Sequence, residues 1–166
     1  YMDYAMSIVK HCNGLPLALQ VLGSSLYGKG IKVWESAIQK LGAIPTGKVQ
    51  KILRISYDSL QDDHDKNLFL DIACVFVGKD RHYATTILDG CDYYTTVGIE
   101  NLIDMCLVVV NEKNRLMMHQ MVRDMARENI CQESPTPRKR SRLWHKDAFD
   151  VLRDKTVRHL SSICLL

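Results

Sequence analysis

No stretch of this 166-residue chain approaches the ~18 uninterrupted apolar residues that a membrane-spanning helix needs. The longest apolar tracts, such as Cys106-Leu107-Val108-Val109-Val110, are strand length. No basic segment followed by an apolar one opens the chain, so no secretory leader is expected. The first residues, Tyr1-Met2-Asp3-Tyr4-Ala5-Met6, lack an initiator Met and read as mid-helix, which leads us to expect a longer parent chain. Neither sign of charge dominates. With 22 basic and 19 acidic residues the net charge is +3, and composition does not point to nucleic acid. Six cysteines are present but no CxxC pair, and most lie in apolar patterns such as Ala73-Cys74-Val75. Free cysteines of that kind behave as small buried hydrophobes, which predicts a reduced, intracellular protein. With 46% hydrophobic and 25% charged residues, the chain has the makings of one domain, or two small ones, with a core needing no metal or disulfide.

Helical periodicity dominates what is there. Cys12-Asn13-Gly14 stops a first helical run, and Pro16 sits where a helix start tolerates its missing N–H. Leu15, Ala18, Leu19, Leu22 and Leu26 follow on one face, and Leu17 and Val21 add a second, so this helix is expected to lie between neighbours. Gly28-Lys29-Gly30 ends it. Trp34, Ala37, Ile38 and Leu41 mark the next stripe, stopped near Gly42 and Pro45; Val49, Ile52, Leu53 and Ser56 mark another. Asp62 is placed to cap a helix carrying Leu68, Phe69, Ile72, Ala73 and Phe76 inward, with Gly78 as its stop. Asp80 opens a further helix, and Thr95 or Thr96 another, over Ile99, Leu102, Ile103 and Cys106. The period then changes. Leu107–Val110, the turn-like Asn111-Glu112-Lys113-Asn114, and Arg115–Met118 predict a β-hairpin. Met118, Met121, Val122, Met125 and Ala126 return to helical spacing. Helix, helix, hairpin, helix is the order of a winged-helix unit. Ser134-Pro135-Thr136-Pro137 breaks the chain ahead of the basic run Arg138-Lys139-Arg140-Ser141-Arg142. A last helix is expected around Asp147–Leu152, and a strand in Val157–Leu166. The expected fold is therefore mainly α: a small helical bundle over 1–44, a winged-helix-like subdomain with a short hairpin over 45–133, and a linker with a helix over 134–166.

Several constellations carry less chemistry than they suggest. Gly23-Ser24-Ser25-Leu26-Tyr27-Gly28-Lys29-Gly30 matches the phosphate-cradling G-x-x-x-x-G-K up to its last position, where Gly30 replaces the magnesium-holding Ser or Thr. A phosphate loop opens a helix, whereas this stretch closes one, so a helix-stop loop is the better reading. Zinc would need Cys/His pairs at short spacing; His11-Cys12 has no second pair, and His145 and His159 are too far apart to chelate locally. No G-x-S-x-G elbow is present, and Asp62-Asp63 with Asp65 reads as a dipole-matched cap. Lys139, Arg140 and Arg142 are the best nucleic-acid candidates. The helix that would enter the groove, about Thr95–Cys106, carries Glu100 and Asp104 and no Lys or Arg, which disfavours phosphate contact. A solvated or intramolecularly paired basic loop is preferred. His119 lies where the hairpin hands over to a helix, beside amides that make an anion site; a cap or core role is the commoner fate of a lone His there. Because side chains alternate at the strand end and Met118, Met121 and Val122 take the inward stripe, His119 is expected to face the helical subdomain around Pro16 and not bulk solvent.

The motifs together resemble a family. Gly14-Leu15-Pro16-Leu17-Ala18-Leu19 resembles the GLPLAL motif of plant nucleotide-binding, leucine-rich-repeat disease-resistance proteins. Phe69-Leu70-Asp71-Ile72-Ala73-Cys74 is similar to the FLDIAC element of the subclass with an N-terminal TIR domain, as are Trp34-Glu35-Ser36-Ala37 and Leu53-Arg54-Ile55-Ser56-Tyr57-Asp58. Met118-His119-Gln120 stands where that family has Met-His-Asp, and Lys139–Trp144 resembles the segment leading out of that region. The match covers about residues 3–155.

The resemblance implies the C-terminal part of an ATPase-related (NB-ARC) switch module in the cytoplasm or nucleus. Pro16 and Leu17 are implied near the adenine of ADP, and His119 at its β-phosphate, locking a closed state that exchange to ATP releases for homo-oligomer assembly. The implied partners are the nucleotide-binding and leucine-rich-repeat parts of the same protein, with no membrane and no nucleic acid. The phosphate loop and TIR domain are absent from this chain, so no enzymatic activity and no tight hold on ADP/ATP are expected of it alone. Gln120 lacks the motif's negative charge, and restoring Asp there is expected to favour the closed state by ~1 kcal/mol, as a cap does. A DNA-binding winged-helix protein and a ligand-free helical adaptor are the alternatives.

Overall fold

The computed structural model describes residues 1–12, 15–43, 49–90, 94–144 and 151. Among these, α1 (Met2–Cys12), α2 (Pro16–Leu26), α3 (Ile31–Gly42) and α4 (Val49–Asp58) come first. Then follow α5 (Asp63–Asp71), α6 (Arg81–Asp89), α7 (Thr95–Asp104), a hairpin of β1 (Val109–Val110) and β2 (Leu116–Met117), and α8 (Gln120–Glu133). A single 3₁₀ turn, Pro137–Lys139, closes the described fold. The mainly helical fold with a short hairpin is the expected one. The helix expected around Asp147–Leu152 and the strand expected in Val157–Leu166 lie outside the described residues, Val151 excepted.

Local chemistry sets the element ends. Asp62 accepts from the His64 amide at 2.8 Å and Asp80 from the Tyr83 amide at 3.1 Å, each satisfying an orphan donor of the first turn. Pro16 opens α2, and Gly28 leaves it at φ +68°, a conformation costly for any residue with a Cβ. In the hairpin turn, Asn111 Oδ1 accepts from the amides of Lys113 (3.0 Å) and Arg115 (2.9 Å), and Asn114 takes φ +55°. Val109 pairs with Met117 and Val110 with Leu116; Leu116 is buried and its neighbour Met117 exposed, as the pleat requires. The outer edge of β2 is not left open. Gly78 N donates to Leu116 O at 2.7 Å, Leu116 N to Lys79 O at 2.9 Å and Arg81 N to Asn114 O at 2.8 Å.

α5 does not end at Asp71 but widens into a π-helix, Ile72–Phe76, in which Val77 N reaches back to Ile72 O. Gly78 N is taken by Leu116, so the Ala73 carbonyl lacks a helical partner, and Arg123 Nε of α8 supplies one at 3.0 Å.

Two apolar cores divide the molecule. The smaller is built from α1 to α4 around Ile8, Ala18, Leu22, Leu41 and Ile52. The larger holds Phe69, Ile72, Phe76, Ile99, Leu102, Val122 and Met125, with Val21 and Leu53 reaching in from α2 and α4. Both of those helices thus face both cores, and the buried Ser56 Oγ of α4 donates to Val21 O of α2 at 3.2 Å. Of the residues expected inside, Leu22, Phe69 and Ile72 are wholly buried. Leu19 is only half-buried, because Ala18 and Leu22 carry that face and Leu19 falls at its edge.

Candidate functional site

The sequence singled out Pro16, Leu17 and His119. Pro16 and Leu17 form the first turn of α2; Pro16 is exposed, and Leu17 is half-buried against the larger core. Met118 and Met121, on either side of the start of α8, pack on that same core. Leu17 and the residues flanking His119 thus rest on the same large core. No hydrogen bond or ring contact among the described residues joins Pro16 to His119.

His119 is the N-cap of α8, as its handover position suggested. Its Nδ1 accepts from the Met121 amide at 3.2 Å. A ring nitrogen that accepts carries no proton, so the neutral imidazole holds its proton on Nε2, a tautomer assigned from this bond. One expectation needs correction: His119 is exposed, not turned away from solvent. Its ring folds back on its own helix, satisfying an orphan amide there, rather than reaching across to α2. The outcome is an outward-facing N–H donor beside a helix N-terminus. Gln120 follows at the first helical position and its Nε2 donates to Asp124 Oδ1 at 2.7 Å. An Asp at 120 would lose this bond and face Asp124 four residues on, a like-charge pair.

The phosphate-loop look-alike lies at the other end of α2. An open cleft of 820 Å³ is lined there by Gly23, Ser24 and Lys29, together with Asp62, Asp65 and Asp104. Three carboxylates around one ammonium do not suit a phosphate, and Gly28 ends the helix instead of starting one. Ser24 Oγ and Cys106 Sγ are 2.9 Å apart across this region, with Cys106 at φ +55°. No group of His, Cys, Asp or Glu that could hold a metal ion occurs among the described residues. Cys74 is buried in the π-helix and burial pushes its thiol up to about 11, against the pull of Arg142, Arg127 and Arg123, so it is a poor nucleophile near neutral pH.

The basic run is largely spent on the fold. Arg142 grips Asp71 with both Nε and Nη2, and Nη2 also donates to Asn67 O and Oδ1, each at 3.2 Å. Arg140 Nε donates to Ser134 O at 2.9 Å. Arg127 lies over the Trp144 ring, 5.4 Å from its centroid. Sequence reasoning allows for an intramolecularly paired loop but has no way to name Asp71, seventy-one residues away, as the partner. No helix among the described residues is long and apolar enough to cross a membrane.

A short hairpin whose outer edge is sealed by the strand-like Gly78–Arg81 segment, packed on α5 to α8, is a winged-helix arrangement. Residues 62–134 match the winged-helix domain of Roq1-like disease resistance proteins. The chain belongs to the plant disease-resistance protein family. It is 40% identical over 168 residues to disease resistance protein RPV1 and 41% identical over 168 residues to RUN1, both of Vitis rotundifolia. It is 39% identical over 155 residues to RRS1B of Arabidopsis thaliana. These alignments take in 99%, 99% and 92% of this chain. The chain spans about an eighth of the length of the curated relatives it matches.

Proposed function

We propose that this chain is part of an intracellular plant immune receptor and forms the half of a nucleotide-dependent switch that senses which nucleotide is bound. The observation that carries the reading is the state of His119: an exposed N-cap whose Nδ1 is engaged by its own helix, leaving Nε2–H as an outward donor at the positive end of α8. Such a group suits a phosphate oxygen. Exposed Pro16 at the start of α2 offers a flat apolar surface suited to a purine. ADP, when bound by a complete receptor, supplies a β-phosphate anion at this position. His119 then orients by its bond to Met121 N and donates from Nε2, while Leu17, Met118 and Met121 hold the first turns of α2 and α8 on their common core. Losing the His119 bond frees the winged-helix part from the helical part, which permits rotation and homo-oligomer assembly. The partners are the nucleotide-binding and leucine-rich-repeat parts of the same receptor, in the cytoplasm or nucleus. The chain itself performs no catalysis.

A chimaera of RPV1 in which this chain replaces the matching segment tests the reading. ADP should co-purify with the chimaera and be depleted severalfold by His119→Ala at equal folded yield. Equal ADP content in both would remove the role given to His119.

A further inference from the structure

The chain holds two Ser/Thr-Pro pairs, Ser134-Pro135 and Thr136-Pro137, and the second runs directly into Arg138-Lys139-Arg140. The structure treats the two hydroxyls differently. Ser134 is 9% exposed, and its Oγ accepts from the Thr136 amide at 3.1 Å. Thr136 is exposed, its backbone is extended at φ −90° and ψ 116°, and its hydroxyl makes no cap bond to the turn that follows. That turn is held by Lys139 N to Thr136 O at 3.0 Å and Arg140 N to Pro137 O at 3.1 Å, few enough bonds to open locally. Arg140 Nε donates to Ser134 O at 2.9 Å and Nη2 to Pro135 O at 3.4 Å, so a guanidinium lies one residue from Thr136.

Proline has no N–H, so a kinase surface that offers an apolar slot and no acceptor after the reacting residue selects for it. The ring also holds the preceding residue extended, as Thr136 is. Lys139, third after Thr136 and exposed, gives a cation for an acidic pocket. We infer that Thr136 is a phosphorylation site for a proline-directed Ser/Thr kinase that favours a basic residue at that third position. In the transfer, Thr136 Oγ1 bonds to the γ-phosphorus of the kinase's ATP as the bond to the β–γ bridging oxygen breaks. ADP leaves, and the hydroxyl proton passes to the kinase's catalytic carboxylate. The product carries a charge of about −1.5 to −2 amid Arg138, Lys139 and Arg140. The nearest carboxylate along the chain, Glu133, is already engaged by the amide and hydroxyl of Ser141, both at 2.7 Å. The phosphate therefore tightens the turn over 136–140 and leaves the Arg142–Asp71 contact in place. Modification falls on the strap that leaves the winged-helix part, away from His119.

The test exposes the 166-residue chain to a purified cyclin-dependent kinase and ATP, with sites read by peptide mass spectrometry and exchange of amide hydrogens read on the product. One phosphate is expected, on Thr136. Thr136→Ser should keep it, Thr136→Ala should lose it and Ser134→Ala should leave it unchanged. Lys139→Ala should slow it about tenfold, the loss of one charge pair at the kinase surface. Amide exchange at Lys139 and Arg140 should slow severalfold once Thr136 is modified. Phosphate on Ser134, or none on a chain with a native circular dichroism spectrum, overturns the site. Faster exchange at Lys139 and Arg140 overturns the tightening.

Discussion

Arg142 and Asp71 face each other as a fork on a carboxylate, with both side chains mostly shielded, at 14% and 17% exposure. Arg142 arrives from the segment after α8 and Asp71 closes α5 just before it widens into the π-helix. The pair therefore ties the exit of the winged-helix unit to its first helix. Removing one member of a shielded pair leaves the other charge desolvated and unmatched. Asp71→Ala should cost about 3 kcal/mol in urea unfolding. Arg142→Lys should recover little, since an ammonium does not reproduce the two-point grip. A loss below about 0.5 kcal/mol for Asp71→Ala, the range of an exposed pair, would mean the strap is detached in solution.

Phe69 is wholly buried, with its ring centroid 5.4 Å from that of Tyr57. Phe69→Ala should cost about 3–5 kcal/mol, the transfer loss plus an unfilled cavity. A melting temperature close to wild type would show that the core register of α5 is wrong.

Gly98 on α7 sits directly against α5. A Cβ there would come within 2.5 Å of Leu68 Cδ2 and 2.9 Å of Asp65 Oδ1, and Leu68 is buried with little room to yield. Gly98→Ala gains helix propensity but overpacks the contact, for a net loss of about 1–2 kcal/mol. Thermal unfolding measures it; a stabilised variant would show that α7 stands off from α5.

Asp80 is held below the usual carboxylate range, chiefly by the Tyr83 amide it caps, with Asn114 adding a bond. A carboxylate whose folded value is depressed adds stability that is present above its unfolded value and lost as pH falls through the folded one. Asp80→Ala should therefore destabilise most above about pH 4, with the gap from wild type closing on acidification. Asp80→Asn caps without titrating, so its stability should lack this pH dependence. A wild-type to Asp80→Ala difference that is flat across the acid range would contradict the assignment.

Features that depend on near neighbours along the chain are legible in the amino-acid sequence: the Asp62 and Asp80 caps, the Gly28 and Gly78 stops, the hairpin, and His119 at the head of α8. Each follows from a donor, an acceptor or a φ angle within four residues. Periodicity also places Phe69 and Ile72 inside, but it cannot show that α2 and α4 divide their faces between two cores, which leaves Leu19 at an edge. The π-helix is out of its reach because the cause is remote: Arg123 and Leu116 take up the backbone groups of Ala73 and Gly78. The same holds for Arg142, whose partner Asp71 is distant along the chain. Strand alternation extended as far as His119 turns its ring away from solvent, whereas the chain has already bent there into a cap, and the ring stays exposed.

Gln120 gives the switch account a quantitative constraint. Asp at this position would gain from the N-terminal dipole by about 0.3–1 kcal/mol and lose about 0.2–0.5 kcal/mol to Asp124, besides the bond Gln120 now makes. Gln120→Asp should thus slow ADP release from the RPV1 chimaera by no more than about twofold, less than a simple cap would give. A tenfold change in either direction would mean that residue 120 touches the nucleotide itself.

The proposed role of this chain rests on His119 acting at the β-phosphate, and the dissociation rate of fluorescent ADP from the RPV1 chimaera measures that directly. His119→Ala should speed release about tenfold or more, the loss of one charge-assisted hydrogen bond. An unchanged rate in a chimaera that still folds and still loads ADP would contradict the account.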